Sequence, residues 1–245
     1  MSNPINIVIP MAGLGSRFSN AGYDHPKPFI DVLGKPMIQR VLDNLYCTDA
    51  NYIFILREEH AINYSDVLDS IAKKCSATFV YVNQLTEGAA CTVLFSRHLI
   101  NNDIPLLIAN SDQIVDISIA CFIEDALTRQ LDGSILTFED NDPKWSYAKL
   151  DALNLVTEVQ EKKVISKYAT VGVYFYSKGR FFVNSAIDMI VHNDRVSNEF
   201  YVCPAYNYLI KQGGKIGIYN IQKNQMHGTG TPDDLNKYIE VIKEC

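Results

Sequence analysis

The sequence predicts an α/β fold: a Rossmann-like, doubly wound, mostly parallel sheet with a small antiparallel extension. Three observations lead there. Short apolar runs alternate with amphipathic helical periods through the first half of the chain. Two of those runs, residues 5–9 and 106–109, are almost wholly apolar, as parallel strands covered on both faces must be. From about Gly133 the runs follow one another through short connections, which suits antiparallel pairing.

Taken in order, strands are expected at residues 5–9, 52–56, 78–82 and 106–109, with helices near 37–46, 61–73 and 89–99 between them. Strands at 134–138, 147–150, 155–159 and 170–176 are expected to form the antiparallel extension over one end of the sheet. Helices resume near 178–191 and 202–210. Gly213-Gly214 then turns the chain into a strand at 215–221, and a last helix starts near Pro232 with Thr231 as its N-cap. No linker, repeat or low-complexity tract divides the chain, so residues 1–245 are expected to form one domain.

Composition narrows the function. An apolar fraction of 47% over 245 residues supports a substantial core. The net charge of −6, with 22 basic residues and no basic block, argues against nucleic acid as a partner, because that needs a clustered positive surface. The six cysteines form no Cys-x-x-Cys pair and read as reduced, mostly buried thiols of a cytoplasmic protein. The start shows no signal peptide, and no run approaches the ~20 apolar residues that span a bilayer, so no membrane partner is expected.

The first strand runs into Ala12-Gly13-Leu14-Gly15-Ser16-Arg17, and Pro26-Lys27-Pro28 follows. Small residues let a backbone close around an anion so that its N–H groups converge on phosphate oxygens, while Arg17 and Lys27 add cationic donors. A dinucleotide site is opposed by Phe18 in the place of its third glycine and by the missing acid about 20 residues further on. The Walker spacing is absent as well. Asn110-Ser111-Asp112 ends an apolar strand, where a carboxylate suits Mg²⁺ bound together with substrate phosphates; taken alone, a turn or cap aspartate is the commoner reading. Asp116 lies past the strand end and is expected to cap the next helix.

Gln84 through Gly88 and Ala89 is either an ordinary strand–helix turn or a base-reading edge, since an amide pairs with both a donor and an acceptor. Glu161-Lys162-Lys163, followed by Thr170-Val171-Gly172, is an exposed charged hairpin or the place of a second substrate's phosphate. His227 faces a site or solvent. Trp145, Tyr147 and Asn198-Glu199-Phe200-Tyr201 line a pocket or belong to the core.

In combination and order these residues resemble the nucleotidyltransferases that make nucleoside-diphosphate sugars and related activated phosphates. The resemblance runs nearly the length of the chain and implies the nucleotide-diphospho-sugar transferase fold, Mg²⁺ as cofactor, and two substrates: a nucleoside triphosphate and a phosphorylated small molecule. It implies that Ala12, Gly13, Leu14, Gly15 and Ser16, with Ser111, hold the triphosphate. Arg17 would lie on the leaving pyrophosphate, and Lys27 would contact phosphate during transfer. Gln84, Gly88 and Ala89 would read the base, and Asp112 would bind the metal. Glu161, Lys162, Thr170, Gly172 and Glu199 would face the acceptor.

Three positions depart from the pattern of members that activate hexose 1-phosphates. Gly228 stands where a second metal-binding aspartate is usual, Lys163 where a proline follows Glu-Lys, and Ala148 where a glycine is common. Residues 26–37 and 198–201 are similar instead to the short cytidylyltransferases of capsule and surface-polysaccharide synthesis. That implies CTP as donor and an acceptor such as phosphocholine or phosphoglutamine. A sugar-1-phosphate nucleotidyltransferase is the rival within the enzyme class; a non-catalytic nucleotide-binding regulatory subunit, which Gly228 keeps open, is the rival outside it. The oligomeric state is left open, a homo-oligomer included.

Overall fold

The computed structural model describes residues 4–244; residues 1–3 and Cys245, and with them the expected leaderless start and the sixth thiol, lie outside the described residues. The chain opens with β1 (Ile5–Pro10), α1 (Ser16–Asn20), a 3₁₀ turn at Lys27–Phe29 and α2 (Met37–Asn44). Next come β2 (Ala50–Arg57), α3 (Glu58–Asn63), α4 (Ser65–Lys74), β3 (Ser76–Val82), α5 (Ala89–Leu94) and α6 (Arg97–Ile100). The middle is β4 (Leu106–Ala109), β5 (Gln113–Val115), α7 (Ile119–Thr128), β6 (Gly133–Glu139), β7 (Ser146–Leu150), β8 (Val156–Glu161) and β9 (Tyr168–Tyr176). It closes with α8 (Gly179–Val191), α9 (Ala205–Lys211), β10 (Ile216–Ile221), β11 (Met226–Gly228) and α10 (Pro232–Lys243).

The main sheet runs β10-β6-β9-β4-β1-β2-β3. β1 pairs in parallel with β2 and β4, β2 with β3, and β6 with β10. Successive side chains of a strand point to opposite faces, and both faces are buried here. Ile7 and Ile9 pack with Tyr52, Phe54 and Leu107 on one side; Val8 packs with Ile53, Ile55 and Ile108 on the other. This is the expected mostly parallel α/β sheet.

Several expectations need correction. β6 and β9 are not part of an extension: β9 lies inside the main sheet, antiparallel to β4 and β6 and buried along nearly its whole length. Only β7 and β8 hang off it, through β9. The helix expected at 61–73 is broken at Tyr64, whose ring stacks on Phe29 at 4.1 Å. The helix expected at 89–99 breaks where the Ser96 hydroxyl donates back to the Val93 carbonyl at 2.7 Å, a competing bond that helices tolerate poorly. The helix expected at 37–46 stops at Asn44, whose amide exchanges two bonds with the Val115 backbone. Asp116 does not cap α7, which begins after Ser118; its carboxylate takes the His227 ring at 2.7 Å. The 202–210 helix starts only at Ala205, behind Pro204. The β5–β11 pair was not among the expected elements, and α7 was expected only as a helix without bounds after Asp116.

The five described cysteines carry free thiols, but only Cys203 is buried and Cys121 is exposed, against the expectation of mostly buried sulfur. Among the described residues, no helix is long and apolar enough to cross a membrane.

Candidate active site

The site lies where β1 has β4 on one side and β2 on the other, so that the chain reverses its direction of winding. In open α/β sheets this crevice, outside the carboxyl ends of the strands, is where ligands bind. The end of β1 carries the 11–15 loop, anchored by the Met11 amide donating to the Ile55 carbonyl at 2.7 Å. Gly15 closes the loop at φ 62°, a left-handed turn that glycine adopts without penalty. Phe18, 1% exposed, pins α1 to the core with its ring edge-on to Tyr23. The residue that breaks the dinucleotide pattern is thus the anchor of the short helix carrying Arg17.

The end of β4 carries Ser111 and Asp112. The Asp112 carbonyl accepts from the Thr229 amide at 2.8 Å and from its hydroxyl at 3.0 Å. The Asp112 carboxylate accepts from Lys27 Nζ at 2.7 Å, with both side chains about one-fifth exposed (20% and 18%). Gly88, at φ 117°, lets the 84–89 turn touch residue 200: a Cβ there would stand 2.5 Å from the Phe200 carbonyl oxygen. Two backbone bonds, Ala90 N–H to Phe200 and Phe200 N–H to Glu87, fasten the contact. The 198–201 block is therefore tied to the turn that precedes α5.

Two clefts meet here. The first, of about 340 Å³, is lined by Ala12, Gly13, Leu14, Gly15, Ser16, Gly88, Ala89 and Ser111. The second, of about 730 Å³, is lined by Arg17, Asp112, Glu161, Lys162, Thr170 and Gly172 among others. Lys27, Ala89, Ser111 and Glu199 line both. Gln84 is the candidate that lines neither; it is exposed, and its neighbours Leu85 and Thr86 take the wall. Lys163 is also outside both linings, and Tyr147 is core, its hydroxyl bound to the Asp142 carbonyl at 2.8 Å. Trp145 and Tyr201 line the second cleft.

The far wall of that cleft is electrostatically tuned. Glu161 is 8% exposed and accepts from the Ser146 hydroxyl. Burial pushes its carboxyl up, while the Ser146 bond and the Lys162 charge oppose that. Lys162 stands at φ 55°, a left-handed conformation that costs a non-glycine residue about 1–2 kcal/mol. Its amide donates to the Trp145 carbonyl at 3.0 Å and its ammonium to Tyr201 Oη at 2.6 Å. The Tyr201 bond holds the Lys162 ammonium above the ordinary lysine range, so it stays charged. Sequence reasoning did not single out Gln113, Lys144, Ser146, Tyr174 or Lys237, which also line the cleft. They come from β5, the connection before β7, β7 itself, β9 and α10, and nothing in their local pattern announces the convergence.

Among the described residues, no group of three His, Cys, Asp or Glu side chains could enclose a metal ion. Asp112 nevertheless fits Mg²⁺, which keeps several waters and uses one or two carboxylates together with substrate phosphates.

The family model described as nucleotidyl transferase matches residues 7–240. The chain belongs to the nucleotidyl transferase family. The bifunctional protein GlmU of Methanococcus aeolicus is 25% identical over 218 residues, a match covering 87% of this chain and 49% of that protein. The chain thus spans about half the length of that curated relative. Among solved structures, the nucleoside-diphosphate-sugar pyrophosphorylase of Vibrio cholerae RC9 superposes with a TM-score of 0.80 at 22% identity, over 96% of this chain and 99% of that one. A UDP-glucose pyrophosphorylase superposes at 0.77 and 16% identity, covering 98% of each chain. These two likenesses show the fold, and it is the nucleotide-diphospho-sugar transferase type.

Proposed function

We propose that this chain transfers a nucleoside monophosphate from a nucleoside triphosphate to a phosphorylated small molecule and releases pyrophosphate. The observation that carries the reading is the meeting of two clefts at Lys27 and Ser111. One is walled by small residues suited to a triphosphate, the other by Arg17, Lys162 and Glu161. A phosphate oxygen of the acceptor attacks the α-phosphorus in line; a P–O bond forms as the bond to pyrophosphate breaks. An acceptor phosphate is already largely dianionic near neutral pH, so no side chain need remove a proton. The protein's task is to bring two anions together, and Arg17, Lys27 and Lys162 supply positive charge along their path. Mg²⁺ on Asp112 would neutralise further charge on the phosphates.

The finer reading is CTP as donor and phosphoglutamine as acceptor. It is supported by the resemblance of residues 26–37 and 198–201 to capsule cytidylyltransferases and by Glu199 lining both clefts. A hexose 1-phosphate acceptor is the second reading, favoured by the likeness to GlmU and by the fold shared with UDP-glucose pyrophosphorylase. A pyrophosphate-release screen decides: four nucleoside triphosphates with Mg²⁺ against hexose 1-phosphates, phosphocholine and phosphoglutamine. Release with CTP and phosphoglutamine is expected. Release with hexose 1-phosphates alone would replace the finer reading, and nucleotide binding without release from any pair would leave a binding subunit.

A further inference from the structure

A third cleft, of about 480 Å³, adjoins the second, and Lys144, Trp145, Gly228, Asp234 and Lys237 line both. Gly228 stands at the junction. A Cβ built there would meet nothing within 4 Å, so the absent side chain leaves open space between the two volumes.

The third cleft is lined by three acids and three lysines, and most of them neutralise one another. Asp140 is held by Lys223 at 2.8 Å and by the amides of Asn141 and Asp142. Asp142 faces Lys144 at 3.5 Å. The remaining two are Asp234 and Lys237, three residues apart on α10 and therefore on one helix face. They form no ion pair with each other. Among the described residues the Lys237 ammonium has no hydrogen-bond or ion-pair partner, and the Asp234 carboxylate accepts only from the Thr231 hydroxyl at 2.7 Å, while the Asp234 amide donates to that hydroxyl at 3.1 Å. His227, also in the lining, is engaged by Asp116. One unpaired cation and one carboxylate without a cationic partner thus stand at the junction, in a lining that also holds Trp145, Met226 and Tyr238.

We propose that the third cleft receives the far end of the acceptor, and that this end is zwitterionic: a carboxylate facing Lys237 and an ammonium facing Asp234, on an apolar stem crossing at Gly228. Pyrophosphate on its way out fits less well, because an ion carrying only negative charge gains from Lys237 and is repelled by Asp234. The proposal rests on the second cleft holding the acceptor's phosphate and makes Gly228, Asp234 and Lys237 specificity-determining.

Three stable phosphonates test it without turnover: 2-amino-5-phosphonopentanoate, 5-phosphonopentanoate lacking the amine, and 4-aminobutylphosphonate lacking the carboxylate. Trp145 is the chain's only tryptophan and lines both clefts, so its emission reports occupancy of the junction. The full chain is expected to bind the zwitterion roughly fivefold to tenfold more tightly than either single-charge analogue. In Lys237→Met the advantage over the aminophosphonate should vanish, with calorimetric binding of nucleoside triphosphate unchanged. Gly228→Val, which fills the junction at a position outside the left-handed region, should weaken the zwitterion most, and the two single-charge analogues as well, since their stems cross at the same place. Equal binding of the three, no binding of any, or an advantage that survives in Lys237→Met would each overturn the proposal. So would loss of pyrophosphate binding in these variants in its place. Pyrophosphate release in the transfer screen without the zwitterion preference sinks this proposal alone; the preference without release sinks only the transfer reading.

Discussion

Lys27 is the residue on which the site turns. It is held in a 3₁₀ turn between two prolines, so its backbone is fixed before its ammonium reaches Asp112. It lines both clefts, and the transfer reading needs a positive charge at their meeting point. Removing a single preorganised charge-stabilising donor costs about 2–4 kcal/mol of transition-state stabilisation. Lys27→Ala is therefore expected to lower kcat by roughly thirtyfold to a thousandfold. Its thermal unfolding should barely move, because a partly exposed ion pair contributes about 0–1 kcal/mol to stability. Turnover near that of the parent in the folded variant would remove Lys27 from the reaction path. Lys162 differs in kind: its left-handed backbone and its Tyr201 bond fix a charge on the wall of the second cleft.

At the scale of elements, the Lys27 turn is positioned by the break between α3 and α4. Phe29 stacks on Tyr64 and meets the His60 ring edge-on at 5.5 Å. His60 is 4% exposed and its Nδ1 has no partner. Burial lowers its pKa below the ordinary 6.5; the nearby Glu59 opposes this and Arg57 reinforces it. Because the folded value is depressed, the unfolded chain takes up the proton first as pH falls. Stability from this group is present above 6.5 and is lost as pH drops through the folded value. Urea unfolding at about pH 7.5 and about pH 5 should show a larger acid loss in the parent than in His60→Phe, and equal losses would show that the ring is not the sensor. Elements such as this also mark what sequence alone could reveal. β1 and β4 were legible because strands buried on both faces must be apolar. The kink at Tyr64 was not, since it comes from a ring stacked on a residue 35 positions earlier, and the apolar period runs straight through it. β5 and β11 are three residues each, too short to carry any period. That the 12–16 loop and Asp112 lie at strand ends was readable from sequence, and both line the clefts there. Gln84 stands outside both linings because one residue of difference in a turn decides which side chain faces the cleft and which faces solvent.

For the whole molecule, the relation of the two principal clefts bears on the order of events under the proposed transfer. They share Lys27, Ala89, Ser111 and Glu199, and under that proposal both substrates occupy the site together with their phosphates at the common wall. The net charge of −6 provides no general attraction for anions, and binding must come from the few cations concentrated there. Direct attack of one substrate on the other in that arrangement needs no nucleotidylated protein, and no cysteine lines either cleft among the described residues. Initial rates measured with both substrates varied should therefore give intersecting reciprocal plots, the pattern of a complex holding both. The parallel lines of a ping-pong scheme accompany a covalent intermediate. Labelled pyrophosphate should exchange into the nucleoside triphosphate only when the acceptor, or the nucleotidylated product, is present. Exchange with the triphosphate alone would require a bond from the α-phosphorus to a side chain and would overturn direct transfer. Ser111, buried and shared by both clefts, would then be the first hydroxyl to replace.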